Sequence, residues 1–195
     1  PNTGKMVKVG DFIFDEFADE KINEFASEHS TRFRVALAEG VSSWQVYKAL
    51  SEIKFLSGKL ENIPDEGTIA PASYDFVIGM TKEALIKKMQ ERQASILNEA
   101  WNARQPNLPI NTKQEALILA SIIEKETSLK TERGKVSSVF VNRLLREIAL
   151  QTDASVVYGI TRGKKVLGRG LRRSELKKDT PWNTYVNKGL PPSPI

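Results

Sequence analysis

From Phe33 to Leu37 the chain alternates large apolar residues (Phe33, Val35, Leu37) with polar or small ones, the period of a half-buried strand, and the pattern stops at Glu39-Gly40. The period then changes to that of a helix. Ser42 or Ser43 can cap a short helix that turns Val46, Tyr47 and Leu50 inward. Residues 57–73, punctuated by Gly58, Pro64, Gly67 and Pro71, predict a connecting loop. Tyr74 to Ile78 predicts another strand, and Thr81 can cap a long helix presenting Leu85, Met89, Ile96, Leu97 and Ala100. Pro106 and Pro109 break the chain after it.

Thr112-Lys113-Gln114-Glu115 is a capping box, so a further helix starts at Lys113. Along it Leu119, Ile122, Ile123 and Glu126 recur at helical spacing, and Glu124 is rotated off that stripe. A carboxyl set against Leu and Ile is poorly solvated, which favours its protonated form, as a proton donor requires. The stripe therefore puts Glu126 ahead of Glu124 as a general acid. The bland alternative makes both of them solvated charges near a helix end, with Lys125 and Lys130 as surface partners. After Thr131 a second amphipathic helix is predicted, with Val139, Phe140, Leu144 and Ile148 as one face and Asn142 and Arg143 within it. Strands mixed with helices in irregular order predict an α+β fold, with short antiparallel strands.

Several ordered segments then belong together: Ala120-Ser121-Ile122-Ile123-Glu124-Lys125-Glu126-Thr127, Glu132-Arg133, Val139-Phe140-Val141-Asn142-Arg143-Leu144, Leu150-Gln151-Thr152-Asp153 and Val157-Tyr158-Gly159. Asn183-Thr184-Tyr185 with Gly189-Leu190-Pro191-Pro192 completes the series. With this spacing the chain resembles the MltG or YceG-like family of endolytic murein transglycosylases. The resemblance covers roughly Phe33 to Ile195 and is strongest from Ala116 onward. It places the catalytic acid on Glu126, on a helix, in agreement with the stripe. It also places Gln151, Thr152, Asp153, Tyr158, Asn183 and Tyr185 on motif positions that line a glycan groove. Two departures stand out: Ala72 occupies a usually acidic place before Ser73-Tyr74, and Asp153-Ala154-Ser155 stands where the family usually reads Asp-Pro-Thr.

The resemblance implies non-hydrolytic cleavage of the β-1,4 bond between N-acetylmuramic acid and N-acetylglucosamine, giving 1,6-anhydro ends and terminating nascent strands. A single Glu suffices, acting first as acid and then as base. Asp153 would be the second carboxylate if one were needed, though its position before Ala154 to Tyr158 favours a helix N-cap. Peptidoglycan strands are the implied substrate, with cell-wall synthesis enzymes as protein partners. The implied location is the outer face of the cytoplasmic membrane, with anchoring by an N-terminal helix that this chain does not contain.

Composition narrows the picture. The 195 residues, 40% hydrophobic, are enough for one sizeable domain or a domain with a small module. There is no cysteine and His29 is the lone histidine, which excludes thiolate sites and argues against a zinc centre; no metal and no cofactor are expected. The apolar run from Ala116 to Ile123 is far short of a membrane span. A formal charge of +5 draws on Arg162, Lys164, Lys165, Arg169, Arg172, Arg173, Lys177 and Lys178, interleaved with glycines. Such a run can bind phosphates, yet it lacks interleaved aromatics and any nucleic-acid-binding signature, so nucleic acid is not the expected partner. Two other classes stay open: a peptidoglycan-binding domain without turnover, and a basic nucleic-acid-binding module. Trp182, beside a turn, can equally stack on sugar or pack in the core; Trp101 fits core packing better.

The domain expectation divides the chain into residues 1–32 and a catalytic domain over 33–195. Val9-Gly10-Asp11-Phe12-Ile13-Phe14 resembles the tail of a small LysM-like module that precedes the family's catalytic domain. The alternative for this N-terminal part is a strand and a helix, Asp19 to Glu28, that complete the fold.

Overall fold

The structure is a computed structural model that describes residues 5–9, 12–16 and 32–195, with side chains from Phe33 onward. The expected helix over Asp19 to Glu28 and His29 lie outside the described residues. The chain divides into two compact units, residues 1–92 and 93–195, and the division falls within a helix. The class is α+β.

The first unit is built on an antiparallel sheet in the order β1 (Lys5–Val9), β2 (Phe12–Glu16), β3 (Arg32–Ala36) and β4 (Ser73–Val77). β2 pairs with β3, so residues on either side of position 32 share one sheet. The alternation in β3 works as expected: Phe33 and Val35 are buried, opposite Phe76 and Tyr74 of β4. On the other face the partners Arg34 and Asp75 form an ion pair at 2.7 Å. Phe33 stacks on Phe55 and Phe76 at ring distances of 4.5 and 5.6 Å, an arrangement that adds to the area the rings bury.

Helix α1 (Ser43–Glu52) opens with a complete capping box from Ser42 and Gln45 and buries Val46 and Leu50. The loop before β4 contributes Leu60 and Ala70 to the core and is fastened by the Tyr74 hydroxyl, which donates to the Ala70 carbonyl at 2.7 Å. Ala72 packs against the same apolar cluster. Helix α2 (Lys82–Asn102) is capped by the Thr81 hydroxyl, which accepts from the Ala84 N–H at 3.0 Å. Only its first half behaves as the pattern predicted. Leu85 and Met89 are fully buried, whereas Ile96 and Ala100 are exposed, because 21 residues carry the helix beyond the core that its first turns cover.

The second unit gathers α3 (Lys113–Glu126), α4 (Arg133–Leu145), α5 (Asp153–Thr161) and the short α6 (Arg173–Lys177) with an irregular C-terminal segment. The Thr112–Glu115 capping box forms as predicted and starts α3 at Lys113. Ile118, Leu119 and Ile122 of α3 meet Phe140 of α4, Leu150, and Ile195 from the C-terminal segment. The predicted face of α4 needs correction. Phe140 is buried with Val136, Val141 and Leu144 against it, while Val139 and Ile148 are exposed. Val136, Phe140 and Leu144 share one side at steps of four; Val139 is rotated off it, and Ile148 lies beyond the helix end. Among the described residues no helix is long and apolar enough to cross a membrane.

Candidate active site at the end of the third helix

Glu126 is the last residue of α3, and its side chain is exposed. The sequence stripe had set it against Leu and Ile, and that premise is overturned. Ile122, one turn earlier, is fully buried, but no helical turn follows Glu126 to carry the apolar layer over it. Glu124 is the half-buried carboxylate, paired with Arg133 at 2.6 Å. Burial therefore does not single out Glu126, and a hydroxyl does: Thr152 Oγ1, from a buried residue of another segment, donates to Glu126 Oε1.

The turn after Glu126 is itself fixed. Thr127 is in extended backbone and its N–H reaches back to the Ile123 carbonyl. Its hydroxyl donates to the Glu132 carboxylate and accepts from the Leu129 N–H, each at 3.1 Å. These bonds satisfy groups that a helix end would leave to water.

Thr152 arrives from the connection between α4 and α5, where Glu147 and Gln151 both adopt left-handed backbone, at φ of 53° and 51°. Such conformations are costly for residues other than glycine and persist where their surroundings hold them. Here the Arg143 guanidinium donates to the Leu150 carbonyl, the Ile148 N–H to the Arg143 carbonyl at 2.8 Å, and the Gln151 N–H to the Thr184 carbonyl at 2.9 Å. The Gln151 side chain is exposed. Thr152 is the N-cap of α5, yet its hydroxyl makes no capping bond and goes to Glu126 instead. Capping, in which a Thr hydroxyl accepts a backbone N–H, is worth about 1 kcal/mol and is absent here, while the hydroxyl acts as a donor to Glu126.

Asp153, expected as that N-cap, is instead the first residue of α5, where a carboxylate suits the positive end of the helix dipole. Its Oδ1 accepts from the Tyr185 hydroxyl at 2.6 Å. This hydrogen bond, followed by burial and the charges of Asp153 and Glu126, pushes the Tyr185 phenol up to about 12, with Arg143 acting in the opposite direction. Tyr185 is therefore a proton-bearing donor throughout the physiological range, and both carboxylates and Arg143 act upon it.

Asn183 is fully buried, and its amide Nδ2 donates to the carbonyls of Glu175, Leu176 and Lys178 at 3.2, 3.0 and 2.7 Å. Its Oδ1 accepts from the Tyr185 N–H at 3.0 Å. Of the expected groove residues, Asn183 thus holds the chain behind Tyr185. Tyr158 is half-buried in the apolar cluster, 6.0 Å from the Trp182 ring. Trp182 is covered by the Arg162 guanidinium at 3.5 Å and donates from Nε1 to Ser193 at 3.1 Å, an arrangement that favours packing over sugar stacking. Arg169, another member of the basic run, is paired with Glu175 at 2.5 Å.

The residues that pattern reading missed are Ser155 and Thr184, which bond to one another at 2.8 Å and are both buried. Hydroxyls carry no periodic signal, so only their places within motif segments marked them. At position 155 the departure from the family pattern keeps a hydroxyl where Thr is usual. Among the described residues no group of three or more His, Cys, Asp or Glu side chains could hold a metal ion.

The sequence profile of the YceG-like family matches residues 2–195. The chain belongs to that family. Among YceG-like relatives, the endolytic murein transglycosylase of Bacillus subtilis (strain 168) is 36% identical over 133 residues, 68% of this chain and 35% of that protein. The endolytic murein transglycosylase of Streptococcus pneumoniae (serotype 2, strain D39) is 33% identical over 136 residues, 67% of this chain and 23% of that protein. The chain thus spans about a quarter to a third of the length of these curated relatives. The crystal structure of a YceG-like protein from Listeria monocytogenes superposes with a TM-score of 0.63 at 24% identity, covering 90% of this chain and 65% of that one, which establishes the shared fold.

Proposed function

We propose that the chain is a lytic transglycosylase of peptidoglycan with Glu126 as its catalytic residue. The observation that carries this reading is the pairing of an exposed carboxyl at a helix end with a hydroxyl from a separate, buried segment. Exposure leaves the carboxyl open to a polymeric substrate, and the hydroxyl bond gives it an orientation. The names of the relatives supply the substrate class.

In the proposed reaction Glu126 gives its proton to the oxygen of the β-1,4 bond between N-acetylmuramic acid and N-acetylglucosamine, and the C1–O bond breaks. The muramoyl C6 hydroxyl attacks C1 and returns its proton to the Glu126 carboxylate. The 1,6-anhydro ring closes, the acid is regenerated, and no water is consumed. Hydrolases that use two carboxylates hold the second one free to act on water or sugar. Asp153 accepts a 2.6 Å bond from Tyr185, an engagement that supports a single-carboxylate mechanism. Gln151, Asp153 and Tyr185 are proposed to face the glycan, and Asn183 and Tyr158 to support them. Endolytic cutting of nascent strands at the outer face of the cytoplasmic membrane, alongside cell-wall synthesis enzymes, is the setting that fits this chemistry.

Mass spectrometry of purified peptidoglycan digested with the chain and with Glu126→Gln tests the reading. Anhydro-muramoyl ends are expected from the parent and not from the variant. Reducing ends would mean hydrolysis, and equal products from parent and variant would remove Glu126 from its role.

A further inference from the structure

We propose that Thr152 is a positioning residue that decides which oxygen of Glu126 carries the proton, and that a buried ring of hydroxyls formed with Ser155 and Thr184 holds it in place; the proposal rests on the reading of Glu126 above. The terminal torsion of a Glu side chain is soft and roughly two-fold, so an exposed carboxyl presents either oxygen almost equally. The Thr152 hydroxyl removes this equivalence. By donating to Oε1 it leaves Oε2 as the oxygen that gives and takes the proton. The same bond serves both states of the cycle, because Oε1 is the carbonyl oxygen of the acid and a charged acceptor in the carboxylate.

A hydroxyl directs a neighbour only if its own backbone is fixed, and at Thr152 every backbone polar group is bonded. The Thr152 N–H donates to Thr184 Oγ1 at 3.1 Å. The Ser155 hydroxyl donates to the Thr152 carbonyl at 2.9 Å. Each hydroxyl has one proton, so with the Ser155 proton on the Thr152 carbonyl the 2.8 Å bond between Ser155 and Thr184 uses the proton of Thr184, whose other acceptor within reach, the Thr152 carbonyl, is farther away at 3.5 Å. The ring closes: Thr152 N–H to Thr184, Thr184 to Ser155, and Ser155 to the Thr152 carbonyl. Thr152, Thr184 and Ser155 are exposed by only 2%, 2% and 0%, so water does not compete for these bonds. With the Thr152 backbone held by the ring, its hydroxyl proton goes to Glu126.

Steady-state kinetics on soluble glycan strands, with anhydro ends counted by mass spectrometry, separate this role from a structural one. Thr152→Val keeps the shape and removes the hydroxyl; it is expected to lower kcat about 10- to 100-fold, the worth of one charge-assisted hydrogen bond, with KM nearly unchanged. Thr152→Ser is expected to restore most of the rate. Thr184→Val should reproduce the kcat loss and also speed hydrogen exchange at the Thr152 amide, read by NMR, while Thr184→Ser retains both rate and protection. An active parent with Thr152→Val at the parental kcat overturns the positioning role. So do Ser and Val variants equally impaired at the parental melting temperature, or a Thr152 amide whose exchange ignores Thr184→Val. A parent that makes no anhydro ends overturns the enzymatic reading first, and this role with it.

Discussion

The Tyr185 hydroxyl donates to the Asp153 carboxylate at 2.6 Å, although the two residues lie 32 positions apart. Beside it Thr152 donates to Glu126, so two neighbouring residues at the start of α5 link the end of α3 to the C-terminal segment. Each carboxylate in this cluster has its own hydroxyl donor. The segment 183–185 organises both links: Asn183 anchors it, Thr184 fixes the Thr152 backbone, and Tyr185 holds Asp153.

The Tyr185 phenol provides a pH signature. The bond to Asp153, then burial and the charges of Asp153 and Glu126, raise it from 10.0 to about 12. A raised value means that the folded state holds the proton more tightly than the unfolded chain. The stabilisation it brings is fully present below pH 10.0 and fades as pH rises toward about 12. Absorbance titration of the phenolates should therefore show Tyr185 among the last of the four tyrosines to ionise. Asp153→Asn should bring Tyr185 down and leave Tyr74 high, since Tyr74 is raised chiefly by burial. A Tyr185 that ionises near 10.0 in the parent would mean the Asp153 bond is not kept in solution.

Glu124 and Glu126 are expected to part company on mutation. Glu124→Gln removes a partly buried ion pair with Arg133, side chains 27% and 30% exposed, without touching the Thr152 contact. The expected cost is about 1 kcal/mol of stability, with most of the activity retained. Glu126→Gln should behave in the opposite way, folding normally and making no anhydro ends. Thermal melts read beside product analysis distinguish the two, and an inactive Glu124→Gln at parental stability would reverse the assignment.

Asn183→Ala should be the most destabilising single change near the site. It strips donors from three carbonyls and the acceptor from the Tyr185 N–H, all in a fully buried place. Losing a buried amide of this kind costs about 2–4 kcal/mol. Urea unfolding measures it; a change below about 1 kcal/mol would show that water replaces the lost bonds, which burial argues against.

What the sequence revealed and what it hid divide along range. The Thr112 capping box, and a serine cap at Ser42 or Ser43, were legible because such bonds close within three residues; the structure settles the latter on Ser42. The alternation of Phe33 and Val35 was legible because one strand decides it. Glu126 was chosen as a candidate on a premise that failed, since periodicity reports a face and does not report where the core beneath that face ends. Val139 and Ile148 failed for a related reason: a short apolar list fits more than one helical face. The site bonds of Thr152 and Asp153 to Thr184 and Tyr185 each span 32 positions, and no local pattern encodes them.

Gly159 offers a test in which local propensity and packing disagree in sign. It lies inside α5, where Ala is favoured over Gly by about 1 kcal/mol in an exposed helix. A Cβ there would lie 3.1 Å from Trp182 Cβ and 3.7 Å from Thr180 Oγ1. Trp182 has little room to yield, being tied to Ser193 and covered by Arg162. Overpacking of this kind costs about 1–3 kcal/mol, enough to exceed the propensity gain. Gly159→Ala is therefore expected to lower stability in urea unfolding, and a rise would show that Trp182 shifts freely. Trp182 directly precedes Asn183 and Thr184, so a forced shift also disturbs the bond from the Thr152 N–H to Thr184. Activity should accordingly fall further than the lost stability alone explains, with kcat affected more than KM.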